Sequence, residues 1–400
     1  MPDRFIYFDN INTTFPDMEV IASIERALHS QLGNPSAHIH SAGIGAARLL
    51  DNSKANVAIL IGAQPESIIF TSGATEANNL AISGFMGANP DHQLGVLSIE
   101  HFSIINQARK MKLGGRKVLF VDVDQTGMAD LEQLEKFVKS DPTLVSIAYA
   151  NPEIGTIQPV EQIGRICQDH GATYHCDATV AASTQSIDVG KLGIDLLTLS
   201  GHNMYGPTGI GALFIGKGVN LHSLFEGGNQ EHGIRPGTEN VVGAVGLGKA
   251  CELAKANLEN WSGRLSALSS RLWQGLSETV PFIHLTGHPD RRLPGHVSFW
   301  VEHIEGESLL LLLNMKGVMA ASGSACSSNL KGEDEEDLVA SHVLSAVGVP
   351  TDICAGSLAL TLGKYNNIEE VEYVINVMPG IVEKLLAMSP SYSDYMRKKE

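Results

Sequence analysis

Apolar residues follow two rhythms along this chain. Between about residues 15 and 260, short β-branched runs alternate with segments that place an apolar residue every three or four positions. The runs are SIIF (67–70), LGVLSIE (94–100), RKVLFVDV (116–123), LVSIAYA (144–150), ATYHCDA (172–178), LLTLS (196–200) and GALFIG (211–216). Two intervening segments, EVIASIERALHSQL (19–32) and VEQIGRICQDHG (160–171), carry helical spacing, and the second stops on Gly171. Strands separated by helices imply βαβ units, so the pattern predicts an α/β fold: a mainly parallel seven-stranded sheet with helices on both faces.

After a long amphipathic stretch at 241–278 the rhythm changes. HVSFWVE (296–302), VMAASG (318–323) and SLALTLG (357–363) read as strands of a smaller α+β unit. IEEVEYVINVMPGIVEKLLAM (368–388) reads as a closing helical segment interrupted near Pro379, since proline lacks the N–H a helix needs. The expected organisation is a large domain over 15–261 and a small domain built from 1–14 and 262–400, the latter carrying the loop around Cys326. The acidic run KGEDEED (331–337) reads as a solvated loop.

Composition removes several function classes. At 400 residues, 43% apolar and 18% charged, the chain is long enough for a large core. Its net charge of −16 argues against nucleic acid and anionic membranes as partners. No apolar run reaches the ~18 residues of a membrane span, and MPDRFIYFDN has no apolar signal core, so a cytoplasmic protein is expected. Five scattered cysteines, odd in number and without a CxxC pair, exclude a disulfide framework and a zinc ribbon.

Candidate chemistry clusters at the ends of the predicted strands, where open α/β sheets bind ligands. In TSGATEANN (71–79) the N–H groups of Ala74 and Thr75, with the Thr75 hydroxyl, suit an anion at a helix start. The bland reading is an ordinary small-residue turn. In HCDAT (175–179), Asp177 calls for a cationic partner, or else caps a helix or forms an internal salt bridge. Ser200 and His202 in SGHNMYGP and Thr238 in IRPGTEN add polar groups, and His101 follows the second strand run. Cys326, in ASGSACSSN (321–329), lies among small residues that give a thiol access. Cys167 and Cys251, on helical patterns, fit buried inert thiols.

Taken in order, YFDNINTT, GNPSAHIHSAG, FTSGATEANNLAI, EH, EIGTIQPVEQIG, HCDAT, GHNMYGPTGIGAL, GGNQEHGIRPGTEN, IEGESLLLLL, SGSACSS and LTLGKYN resemble the NifS/IscS-type cysteine desulfurases of the class-V aminotransferase family. The resemblance runs through nearly the whole chain. It implies the type I PLP-dependent transferase fold, a homodimer, and pyridoxal 5'-phosphate bound to a lysine as a Schiff base. L-cysteine would give up its sulfur to a cysteine thiolate as a persulfide, for delivery to an IscU-like scaffold or another acceptor. Carried over, Ala74, Thr75, Ser200 and His202 would hold the cofactor phosphate, with Thr238 reaching it from the other subunit. Asp177 would pair with the ring nitrogen, His101 would stack on the ring and move protons, and Cys326 would carry the persulfide.

Five positions depart from that pattern. Asn203 stands at the Schiff-base lysine, and an amide nitrogen is not nucleophilic. Thr208 replaces a second lysine nearby. Pro152 replaces an asparagine expected at the ring hydroxyl, and Val180 a glutamine, so both donors are lost. Leu358 falls at the arginine expected to clamp the substrate carboxylate. These changes imply that covalent cofactor binding is absent and lysine-based catalysis impaired or lost, with Cys326 kept as a persulfide carrier or as ligand to an iron–sulfur cluster shared with a partner. The sulfur source would be L-cysteine or a persulfide. The competing readings are an active desulfurase using non-covalently bound cofactor and a structural pseudoenzyme.

Overall fold

The structure is a computed structural model, and it describes residues 5–30, 32–322, 341–350 and 357–399. Seven strands form the large sheet: β2 (Ile68–Thr71), β3 (Gln93–Leu97), β4 (Val118–Val121), β5 (Thr143–Ser146), β6 (Thr173–Asp177), β7 (Leu196–Ser200) and β8 (Gly211–Ile215). Their order is β2-β8-β7-β6-β5-β3-β4. All neighbours run parallel except β8, which is antiparallel to both β2 and β7.

Every residue of β2, β3, β5 and β7 is buried, which is why these strands read as continuous apolar runs. Successive side chains point to opposite faces and join separate cores. Leu144 and Leu196 pack in one cluster with the 74–88 helical segment, Val145 and Leu197 in another under the helices at 41–61 and 160–170.

The second sheet has five strands in the order β1-β11-β12-β10-β9. They are β1 (Ile6–Phe8), β9 (Ile283–Leu285), β10 (His296–Val301), β11 (Val318–Ser322) and β12 (Leu358–Thr361). The N-terminal β1 pairs parallel with β11, joining the chain's start to its last third. One helix, Val241–Thr279, links the two units. Its first half, Val241 to Ala254, belongs to the large core, and Leu265 to Leu276 belong to the small one. The expected boundary at 261/262 falls within this helix.

Pro379 does not interrupt the last long helix, which runs unbroken from Ile368 to Met388. Proline removes one helical hydrogen bond, yet Val374, Ile375 and Met378 before it and Ile381 and Val382 after it share one apolar core. Burial on both sides outweighs the lost bond. Among the described residues, no helix is long and apolar enough to cross a membrane.

Candidate active site

The loops that follow β2, β3, β5, β6 and β7 face the small sheet across a cavity of about 440 Å³. This is the expected ligand position in an open α/β sheet. Gly73, Ala74 and Thr75 line it where the chain turns from β2 into the helix Ala74–Asn79. Gly73 has φ +155, and β8 passes so close beneath that a Cβ on Gly211 would lie 2.8 Å from Gly73. Glycine at 211 lets strand and turn meet, and glycine at 73 accepts the positive φ. The first-turn N–H groups of Ala74 and Thr75 have no intrahelical acceptor, and they carry the positive end of the helix dipole.

His202 lines the same cavity and its Nδ1 lies 3.0 Å from the Ser200 hydroxyl. Burial lowers the His202 pKa, so the neutral ring is favoured. Asp177, at the end of β6, accepts hydrogen bonds from Asn78 Nδ2 at 2.7 Å and from the Thr179 N–H at 2.9 Å. No Lys or Arg among the described residues forms an ion pair with it. His101 lines the cavity and caps the helix Phe102–Leu113, its Nδ1 accepting from the Ser103 N–H. Thr238 is exposed and does not line this chain's cavity. Arg235 is committed to Glu76 at 2.9 Å.

Asn203 sits in the turn after β7, 9% exposed. Its Nδ2 donates to the Ile11 carbonyl at 2.8 Å, while Oδ1 is buried without a partner. The amide thus ties the large domain to the strand-end segment after β1. Pro152 and Val180 line the cavity, and the Pro152 carbonyl accepts a bond from His296 Nε2 at 2.9 Å.

The expectation for Leu358 is corrected. Leu358 points into the small-domain core, and it is Ala359 that lines the cavity. Neighbouring residues on a strand face opposite ways, so a one-residue difference in register exchanges core for cavity. The position open to a substrate-clamping residue is therefore Ala359, whose methyl group offers no charge. Among the described residues lining the cavity there is no Lys or Arg.

Two acids that sequence reasoning left without a role stand in this wall. Glu100 Oε1 accepts from the Ala148 N–H at 2.8 Å, and its Oε2 is buried without a partner. Glu153 Oε2 accepts from the Ser341 hydroxyl at 2.7 Å, and its Oε1 is likewise partnerless. Burial pushes both carboxyls up to about 8, the Asp177 charge adding to the effect on Glu100 and the Ser341 bond opposing it on Glu153. His342 Nε2 donates to the Glu100 backbone carbonyl at 3.0 Å. The only sequence signal for these acids was a carboxylate placed just past an apolar run.

Cys326 lies outside the described residues, although Ser322 and Ser341, described on either side of that stretch, line the cavity. Cys167, Cys176 and Cys251 are buried and free. Burial raises all three thiols, Cys167 and Cys251 to about 12, which leaves them unreactive. Among the described residues no group of His, Cys, Asp or Glu is placed to hold a metal ion.

The geometry defines a class: an α/β protein whose cleft is lined by a glycine turn into a helix, an acid at a strand end and residues of a second sheet. The class-V aminotransferase family profile matches residues 6–374, and the chain belongs to that family. It is 44% identical to a cysteine desulfurase IscS of Methanosarcina thermophila over 97% of this chain and 94% of the relative. Cysteine desulfurase IscS 1 of Archaeoglobus fulgidus is 41% identical over 96% of this chain and 99% of its own length. Among solved structures, a NifS-like protein superposes with a TM-score of 0.86 at 33% identity, covering 96% of this chain and all of that one. The apo structure of a cysteine desulfurase from Thermococcus onnurineus gives 0.84 at 26% identity, with 95% of each chain covered. The type I PLP-transferase fold expected from the sequence is the one observed.

Proposed function

We propose that this protein serves sulfur mobilisation and iron–sulfur cluster assembly as a cysteine desulfurase-like carrier that holds pyridoxal phosphate without a covalent bond. The observation that carries the reading is Asn203: its amide nitrogen is bound to the Ile11 carbonyl. No lysine among the described residues lines the cavity to replace it.

The residues fit the cofactor in its non-covalent form. Four buried polar atoms without partners, Glu100 Oε2, Glu153 Oε1, Thr179 Oγ1 and Asn203 Oδ1, belong to cavity-lining residues, as expected of a site built for a polar occupant. Ala74, Thr75 and His202, supported by Ser200, would hold the phosphate at the helix start. Asp177 would bind the ring nitrogen, oriented by Asn78 and the Thr179 N–H. When bound, the cofactor supplies an electron sink for chemistry at the substrate α-carbon.

His101, on the cavity wall, would then be the group that moves protons near the ring. Loss of a positioned amine as acid and base costs roughly 10²–10⁴ in rate, so turnover of L-cysteine would be slow or absent. In the carrier role a sulfane sulfur passes from a donor persulfide to the Cys326 thiolate, and the donor leaves as its thiolate. The acceptor is a scaffold of the IscU kind or another sulfur acceptor, and the same thiolate suits an iron of a shared cluster. A homodimer would let Thr238 reach the neighbouring phosphate.

The test is to add pyridoxal phosphate and L-cysteine to the purified protein and to measure sulfide and alanine. Traces at most are expected, while a persulfide donor should load sulfur onto Cys326 and not onto a Cys326→Ser variant. Rapid release of alanine would establish an active desulfurase with non-covalent cofactor. Failure of Cys326 to take up sulfur, together with absent alanine, would leave a structural role.

A further inference from the structure

Glu100 is an acid in an unusual place. It is 2% exposed, one oxygen is held by the Ala148 N–H, and the other has no partner. It shares the cavity wall with Asp177, close enough for the Asp177 charge to disfavour its ionisation. A carboxylate at such a site needs a counter-charge, and no Lys or Arg among the described residues lines the cavity.

The titratable groups around Glu100 leave Asp177 as the dominant charge. Tyr174 and Cys176 on β6 both feel Glu100, and burial holds both neutral. His175, between them, is lowered to about 4 by burial and is neutral at physiological pH. His342 is lowered by burial and donates to the Glu100 backbone carbonyl, with Arg109 acting on His342. His101 adjoins Glu100 in the chain, and Glu153 lines the same cavity and is itself raised to about 8.

We propose that Glu100 is a positioning residue that stores a proton in the cavity wall and yields it to a ring nitrogen bound against Asp177. The inference rests on the non-covalent cofactor reading above. The O–H bond at Glu100 breaks as an N–H bond forms on the pyridine nitrogen, and no electrons are exchanged with any third group. The nitrogen becomes cationic and Glu100 anionic, so charge is conserved. The new cation then lies near two carboxylates, where before one carboxylate faced a neutral acid. Attraction to both favours the transfer. Without a covalent anchor, this pairing would be a main source of the cofactor's orientation.

The experiment uses the full-length protein and pyridoxal phosphate. Infrared difference spectra at neutral pH follow the protonated-carboxyl stretch as the cofactor is added, and Glu153→Gln assigns the second acid. Calorimetry in two buffers of different ionisation enthalpy counts the protons exchanged on binding. The Glu100 band should vanish on binding in the wild type and be missing from Glu100→Gln. The variant should take up roughly one more proton per cofactor than the wild type. Cofactor binding with an unchanged carboxyl band, or equal proton uptake by both proteins, overturns the inference alone. Absence of binding by the wild type overturns the cofactor reading and this inference with it. Should Glu100→Gln fail to fold, the band in the wild type still decides.

Discussion

Two groups of residues around one cavity differ in chemistry. Thr75, His202 and Asp177, with Ser200 bonded to His202, form an array of donors and one acid. Asn203, Pro152, Val180 and Ala359 present an already bonded amide, a proline and two aliphatic side chains. On the proposed function, the first group would bind and orient a cofactor. Among the described residues, the second offers neither an amine to attack it nor a cation to clamp an amino acid. Binding and covalent chemistry are separable properties of one fold.

The sharpest way to break this comparison lies on β12, where one residue faces the core and the next the cavity. Leu358→Ala should cost about 2–5 kcal/mol of stability by leaving a hole in the small-domain core, measured by denaturant unfolding. Ala359→Ser should cost less than ~1 kcal/mol. Equal effects would mean that the assignment of faces is wrong. Next in size is Asp177→Asn. Losing one charge-assisted bond to the ring nitrogen, about 1.5–3 kcal/mol, should weaken pyridoxal phosphate binding roughly 10- to 150-fold in a spectroscopic titration. In the second group, Val180→Gln would return only a neutral donor, worth about 0.5–1.5 kcal/mol, and should tighten binding by no more than about tenfold.

Stability should also depend on pH in a defined window. Glu100 and Glu153 are raised to about 8, so between their unfolded values and about 8 the folded state holds more protons and stability falls as pH rises. Buried His175, His296 and His342 have lowered values, so they act in the opposite sense, and only below their unfolded pKa near 6.5. The clean window therefore runs from about 6.5 to about 8. The melting temperature should decline there in the wild type. The decline should be shallower in Glu100→Gln and in Glu153→Gln. A flat wild-type profile would show that neither acid is protonated in the folded protein.

Much of the fold was legible because burial on both faces writes apolar runs directly into the sequence. All seven large-sheet strands overlap runs read from the pattern, LLTLS at 196–200 over its full length. The three-residue strands β1 and β9 were not legible, being too short to show a period. The helix Ser41–Ile61 was hidden by its small residues and weak amphipathic pattern. Pro379 misled because tertiary packing, which local sequence does not display, keeps that helix continuous through it.

In the site, motif spacing brought Thr75, Asp177 and His202 to one cavity. It could not reveal Glu100 and Glu153, because their chemistry comes from burial by segments distant in sequence, such as Ala148 and Ser341. In SLALTLG every residue near the expected arginine is small or apolar, so alternation alone left Leu358 and Ala359 indistinguishable.

The most direct test of the account is to load the protein with pyridoxal phosphate, reduce it with borohydride, and locate the cofactor by peptide mass mapping, with Asn203→Lys treated in parallel. The account predicts that no cavity residue of the wild type carries the cofactor, and that position 203 of the variant does. A wild-type peptide from the cavity bearing reduced pyridoxal phosphate would contradict it.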